Sequence, residues 1–188
     1  MPLTTRLTQL TGDLSRADLE SLQQGEVVLT GSGGDYAVWV LAQAPVTTVW
    51  EVLTAYEEFP DFLPAVVVAR VLERRDNRVW VERKDRRKIG WMPIKVKIVT
   101  ENIEIAQERI DYRMVEGTLD EMEGSWRLAL VEAEGSNPVT LLVQAITAKA
   151  NMGPLQTYFY EVFEKGLVET MTDLRVEMER RNRTTVKR

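Results

Sequence analysis

The spacing of apolar side chains changes period twice along this chain. Val46, Val49, Trp50 and Leu53 fall at i, i+3, i+4 and i+7, which predicts an amphipathic helix with one docked face. Pro45 suits its first turn. Across residues 65–150 the period becomes two: "AVVVARVLER", "NRVWVERK", "IKVKIVTENIE", "ERIDYRMVEG", "GSWRLALVEAE" and "PVTLLVQAITAKA" alternate and are joined by short polar or glycine-bearing turns. Such a series predicts an antiparallel meander. Ile94, Val96 and Ile98 oppose Lys95 and Lys97, and Ile110, Tyr112 and Met114 oppose Asp111 and Arg113, so one face is buried and the other wet. The helical period then returns. Leu155, Phe159, Val162, Phe163, Gly166, Leu167, Thr170, Met171, Leu174 and Met178 form one long stripe, with Pro154 at the first turn. A stripe of that length needs a broad apolar partner, and the sheet is the only candidate.

Two segments frame this pattern. Upstream, "LSRADLESLQQG" predicts a short helix with Ser15 as N-cap, Asp18 at the capping-box position, Leu14 and Leu19 as a staple, and Gly25 as the stop. "EVVLTGSGGDYAVWVLAQ" follows as a hairpin or bulged strand. Its "GSGGD" lacks phosphate-loop spacing and leads into a strand, so a flexible turn is the better reading. Between helix and meander lies "VWEVLTAYEEFPDFLP", where Pro60 and Pro64 break the path so that Tyr56, Phe59, Phe62 and Leu63 can close one end of the sheet.

Composition narrows the chemistry. The 188 residues suit one domain with a small extension, and a chain of this size buries roughly 70% of its unfolded surface. There is no cysteine and no histidine, which excludes disulfides, thiolate nucleophiles, Cys-zinc sites and every triad built on imidazole. The "EGTLDEMEG" turn does not have the spacing of an EF-hand loop, so neither a metal nor a cofactor is expected. No apolar run reaches signal-peptide or membrane-spanning length, so a cytoplasmic protein is expected. A net charge of −5 argues against nucleic acid. That charge is uneven: residues 70–97 hold 11 of the 24 basic and 4 of the 29 acidic residues, a local +7.

The order of elements, with Val49 and Trp50, then Leu53, Thr54 and Tyr56, then Phe59, Pro60, Phe62 and Pro64, resembles the START-like (SRPBCC) superfamily. Within it the chain is most similar to the polyketide cyclase/dehydrase and coenzyme Q-binding START-domain group. The likeness spans residues 25–181. It implies an α+β helix-grip fold: a curved antiparallel sheet wrapped around the C-terminal helix, with an apolar cavity between them. It also implies binding of lipids, isoprenoid quinones or polyketides, with cyclisation in some members. Residues 1–24 form an N-terminal helical extension that would cover one end of the barrel, residues 25–183 the domain, and residues 184–188 a basic tail.

Candidate residues follow from the inward faces. On the last helix, Phe159, Phe163, Gly166, Leu167 and Thr170 either pack or line the cavity. A glycine inside a helix costs about 1 kcal/mol against alanine, so Gly166 suggests close approach of the sheet or a ligand. On the strands the candidates are Ile98, Tyr112, Met114, Trp126 and Leu128, types equally at home in a filled core or an apolar pocket. Tyr56, Phe59 and Phe62 close the end. Glu116 continues the parity of Tyr112 and Met114; buried, it would serve proton transfer, alone or with Tyr112 and Arg113, if the protein is an enzyme. Otherwise it belongs to a solvated acidic turn. In the basic segment, Arg83, Lys84, Arg86, Arg87 and Lys88 precede Trp91 and Met92. This arrangement suits peripheral contact with an anionic membrane surface, or a hairpin whose Trp91 and Met92 fold over the cavity mouth. The leading expectation is a binder or carrier of a hydrophobic small molecule; a cyclase/dehydrase-type enzyme and a protein-interaction module are the alternatives.

Overall fold

The computed structural model describes residues 11–12, 14–89, 92–131 and 138–185, without the side chains of residues 88, 89, 92, 93 and 185. Helix α1 (Arg16–Gln23) begins at Ser15, whose Oγ accepts the Asp18 amide at 3.1 Å. β1 (Val28–Ser32) and β2 (Asp35–Ala42) form a hairpin. α2 (Val46–Thr54), a 3-10 turn (Tyr56–Glu58) and the single turn α3 (Phe59–Phe62) follow. Then come β3 (Val66–Arg75), β4 (Arg78–Ile89), β5 (Met92–Ile105), β6 (Arg109–Gly117), β7 (Glu121–Val131) and β8 (Val139–Lys149). Helix α4 (Gln156–Thr185), 30 residues long, ends the described chain.

All neighbouring strands are antiparallel, in the order β1-β2-β8-β7-β6-β5-β4-β3. β2 pairs with β8, while the next strand, β3, lies at the far edge. The segment α2 to α3 therefore carries the chain from one side of the sheet to the other. That is the structural reason for the bend at residues 55–64. The sheet and α2 grip α4: Val38, Val40 and Ala42 of β2, Val49 and Leu53 of α2, and Leu174 and Met178 of α4 share one core. This is the START-like helix-grip fold.

A second cluster lies on the opposite face. Leu22 of α1 is fully buried among Val28, Trp39, Val131 and Leu141. These are the outward positions of β2, β7 and β8, because their neighbours Val38, Val40 and Leu142 point inward. Helix α1, the described part of the extension, therefore packs on the outer face and not over an end of the barrel. Apolar outward residues in this part of the sheet require a lid, and α1 supplies it.

One irregularity bears on the site. β5 and β6 pair Thr100 with Met114 but Val99 with Glu116, which leaves Val115 as a bulge. A bulge adds one residue on one strand and shifts the parity that follows.

Candidate functional site

A cavity of about 170 Å3 lies between the concave face of the sheet and α4. That is comparable with cavities of about 150 Å3 that accept a benzene-sized guest. Its sheet wall is made by the inward positions of five strands, including Ile98, Ile110, Trp126 and Ile146. Phe159, Phe163, Gly166, Leu167 and Thr170 form the helix wall, where Phe159 and Phe163 stack at 5.8 Å. Leu53, Tyr56, Phe59 and Leu63 close the end. Tyr56 stands edge-on to Phe59 and donates to Glu104 at 3.0 Å; burial raises its hydroxyl well above the usual phenol range.

The lining also carries polar side chains, among them Thr100 and Asn102 of β5, Tyr112 of β6, Gln144 of β8 and Thr170 of α4. Tyr112 crosses over β7, where its partner across the ladder is Gly124, and reaches β8 to accept a hydrogen bond from Gln144 Nε2 at 2.9 Å. A Cβ on Gly124 would stand 2.6 Å from the Tyr112 hydroxyl, so the residue must be glycine for this path to exist. Burial raises the Tyr112 hydroxyl, so near neutral pH it is a hydrogen-bond donor and not a base. β4 presents Arg83, Asp85 and Arg87 to the same cavity. Asp85 is buried, 3.0 Å from Arg83 Nε and 3.9 Å from Arg87 Nη2. The Arg87 guanidinium lies against α4 at Gly166, where a Cβ would be 3.0 Å from Nη1, and it reaches Glu169 at 3.7 Å. The close approach that Gly166 implied is therefore made by an arginine.

Several sequence expectations are corrected by this geometry. Arg83 and Arg87 point into the cavity and do not belong to a surface patch, because they share the parity of Val81, while Lys84 and Arg86 are exposed. Glu116 points outward: the bulge at Val115 reverses its parity, and it pairs with Lys97 at 2.6 Å. Arg113 is also on the outer face, where it bridges to buried Glu101 at 2.6 Å and holds that carboxyl below its ordinary range. Phe62 stands edge-on to Phe59 and lies under the Arg181 guanidinium, outside the lining. Met114 and Leu128 pack in the core without lining the cavity. Trp91 and the side chains of Lys88 and Met92 lie outside the described residues.

Asp85 and Gln144 were missed. The signals were present: Gln144 interrupts the inward series Leu142, Gln144, Ile146, and Asp85 extends Val79, Val81 and Arg83. Among the described residues no group of three or more Asp or Glu side chains is arranged to hold a metal ion, and no helix is long and apolar enough to cross a membrane.

A model of the polyketide cyclase / dehydrase and lipid transport family matches residues 42–184. The chain belongs to that family. Its helix-grip is shared with solved structures of low sequence identity. The Zhui aromatase/cyclase from Streptomyces sp. R1128 is 19% identical, with a TM-score of 0.63 over 77% of this chain and 93% of that one. A START superfamily protein from Mycobacterium smegmatis is 15% identical, with a TM-score of 0.57 over 81% and 99%. The STAR-related lipid transfer protein from Xanthomonas axonopodis is 13% identical, with a TM-score of 0.58 over 81% and 98%. No curated protein matches the sequence. The match begins at Ala42, so this member of the polyketide cyclase/dehydrase and lipid transport family adds α1 and most of the first hairpin to the matched region.

Proposed function

We propose that this protein binds or carries a hydrophobic small molecule in the cavity between the sheet and α4. The observation that carries the reading is the cavity itself: largely aromatic and aliphatic walls interrupted by a few polar side chains, the usual make-up of a small-molecule site. Burial of apolar ligand surface, at about 25 cal/mol per Å2, would drive binding, and the polar side chains would fix orientation. Family membership supports a hydrophobic ligand, and one neighbour in fold is a lipid transfer protein by name. An interaction module built on a filled core is less well supported, because α4 and the sheet do not fill the space between Phe159 and Trp126.

The cyclase/dehydrase reading retains one of its three residues. Tyr112 reaches the cavity, where its hydroxyl accepts from Gln144 and donates to the Ala145 carbonyl oxygen at 3.5 Å, whereas Glu116 and Arg113 face outward. Peripheral contact with an anionic membrane, if it occurs, draws on Lys84 and Arg86 and not on Arg83 or Arg87.

Native mass spectrometry and organic extraction of the purified chain test the carrier reading. An apolar molecule should co-purify with the wild type and be depleted in Gly166→Leu. Equal recovery from both proteins would count against this cavity as the site.

A further inference from the structure

The outer face of the sheet carries a second depression, an open trough of about 680 Å3 that crosses the strands from β1 to β5. The strand register explains it. Thr30, Ala37, Ala145, Ser125 and Asp111 stand side by side on successive strands, and the first four are small. One bank is apolar, with Trp39 and Val143 packed in the cluster that α1 covers. The other bank is polar: Asp35, Thr147, Glu123 and Arg113 form the next row. The small row spans four inter-strand steps, about 19 Å, and the two banks stand four residues apart along each strand, about 13 Å between Cα atoms. Side chains on both banks narrow that gap. An unbranched chain fits between them, and a helix, about 10–12 Å across, does not.

The polar groups of the trough are unevenly served. At the far end Glu101 is bound by Arg113 at 2.6 Å, and Asp111 by Arg109 at 3.0 Å. Lys149 is committed to Glu121 at 2.7 Å, and Arg127 lies outside the lining. Among the described residues Glu123 has no ion pair, and Asp35 has only the Thr147 hydroxyl at 2.7 Å. Ser125 is 8% exposed and lines the floor, yet its Oγ makes no hydrogen bond among the described residues. A buried hydroxyl without a partner is costly unless something outside the chain serves it.

The pattern selects a ligand. The two free carboxylates stand on β2 and β7 with β8 between them, about 10 Å apart. Anions are repelled by both. A divalent metal ion needs converging oxygens, and among the described residues no three carboxylates converge. A single ammonium group leaves one carboxylate unserved. Ammonium groups joined by methylenes serve both, and the methylenes can rest on Ala37 and on Ala145, whose methyl is exposed.

We propose that this trough is a second binding site, separate from the cavity, for a linear aliphatic polyamine. Its ammonium groups pair with Asp35 and Glu123, an inner N–H donates to Ser125 Oγ, and its methylenes lie along Ala37 and Ala145.

Alanine-methyl NMR of the full chain at low ionic strength and about pH 6, where the carboxylates are charged, tests the site with three trications: spermidine, the compact hexaamminecobalt(III) ion and the dipeptide amide Lys-Lys-NH2. Spermidine should shift the Ala37 and Ala145 methyls and bind about tenfold more tightly than either of the others, because it alone matches the length and width of the trough. Asp35→Asn and Glu123→Gln should each weaken spermidine by up to about fivefold, the range of exposed ion pairs. Ala145→Leu, which keeps every charge and fills the floor, should weaken it about tenfold. All three positions are exposed, so the variants should fold as the wild type does. Equal affinity for the cobalt complex, or no change in Asp35→Asn and Glu123→Gln, would reduce the trough to unspecific charge and overturn the proposal. Equal or tighter binding of Lys-Lys-NH2 would overturn it in favour of a basic protein segment.

Discussion

The two halves of α4 share one stripe and do different work. Toward its C-terminus, Met171 and Met178 are fully buried against β2 and α2. Toward its N-terminus, Phe159, Phe163 and Gly166 face a space that the sheet does not fill. The stripe does not explain the contrast, since both halves carry large apolar side chains. The opposite wall does. Val38 and Val40 of β2 and the docked face of α2 reach the C-terminal half, while the N-terminal half confronts a far wall that includes β4, where Arg83, Asp85 and Arg87 replace aliphatic residues. A helical stripe specifies burial, and its partners decide whether the result is a core or a cavity.

The contrast can be broken from either side. Met178→Ala removes a side chain from the filled half and should cost about 3 kcal/mol in urea unfolding, within the usual range for such cavities. Gly124→Ala should cost about 2 kcal/mol, because its methyl would collide with the Ala145 carbonyl oxygen and displace Tyr112 from Gln144. Gly166→Leu should do the reverse. Helix propensity gains about 1 kcal/mol, Arg87 swings aside at modest cost, and stability changes little, while affinity for an apolar probe falls about tenfold as the side chain fills the open half. A loss of stability as large as that of Met178→Ala would show that the open half is in fact packed.

Acid should act on the filled half. The Arg180 guanidinium, aided by Arg181, holds the Glu177 carboxyl below its ordinary value. A depressed folded-state pKa contributes stability that is complete above the ordinary carboxylate range and disappears as pH falls through the depressed value. Wild type should therefore lose more stability than Glu177→Gln between about pH 5 and pH 2, followed by urea unfolding at each pH. Parallel profiles would remove Glu177 from the account.

Much of the fold was legible because its signals are periodic. The meander, the docked helix and the long terminal stripe each repeat a spacing over many residues, and Ser15 and Asp18 formed the N-cap that their positions predicted. The site was legible where it used the same periodicity, as at Ile98, Trp126 and Phe163. It was illegible where one residue changed the rule. The Val115 bulge turned Glu116 outward, and no composition signal marks it. The basic segment read as a solvated run because charge density was noticed before parity; only the pairing of β4 with β5 shows that alternate members point inward. α1 was assigned to an end of the barrel because its partners, Trp39 and Leu141, sit on a face that a two-period pattern calls wet.

Methyl NMR of the full chain titrated with propylbenzene tests the central contrast most directly. The isoleucine methyls of Ile98, Ile110 and Ile146 on the cavity wall should shift with added probe, and the methionine methyls of Met171 and Met178 should stay in place. Shifts centred on Met171 and Met178, or none at Ile98, Ile110 and Ile146, would contradict the account.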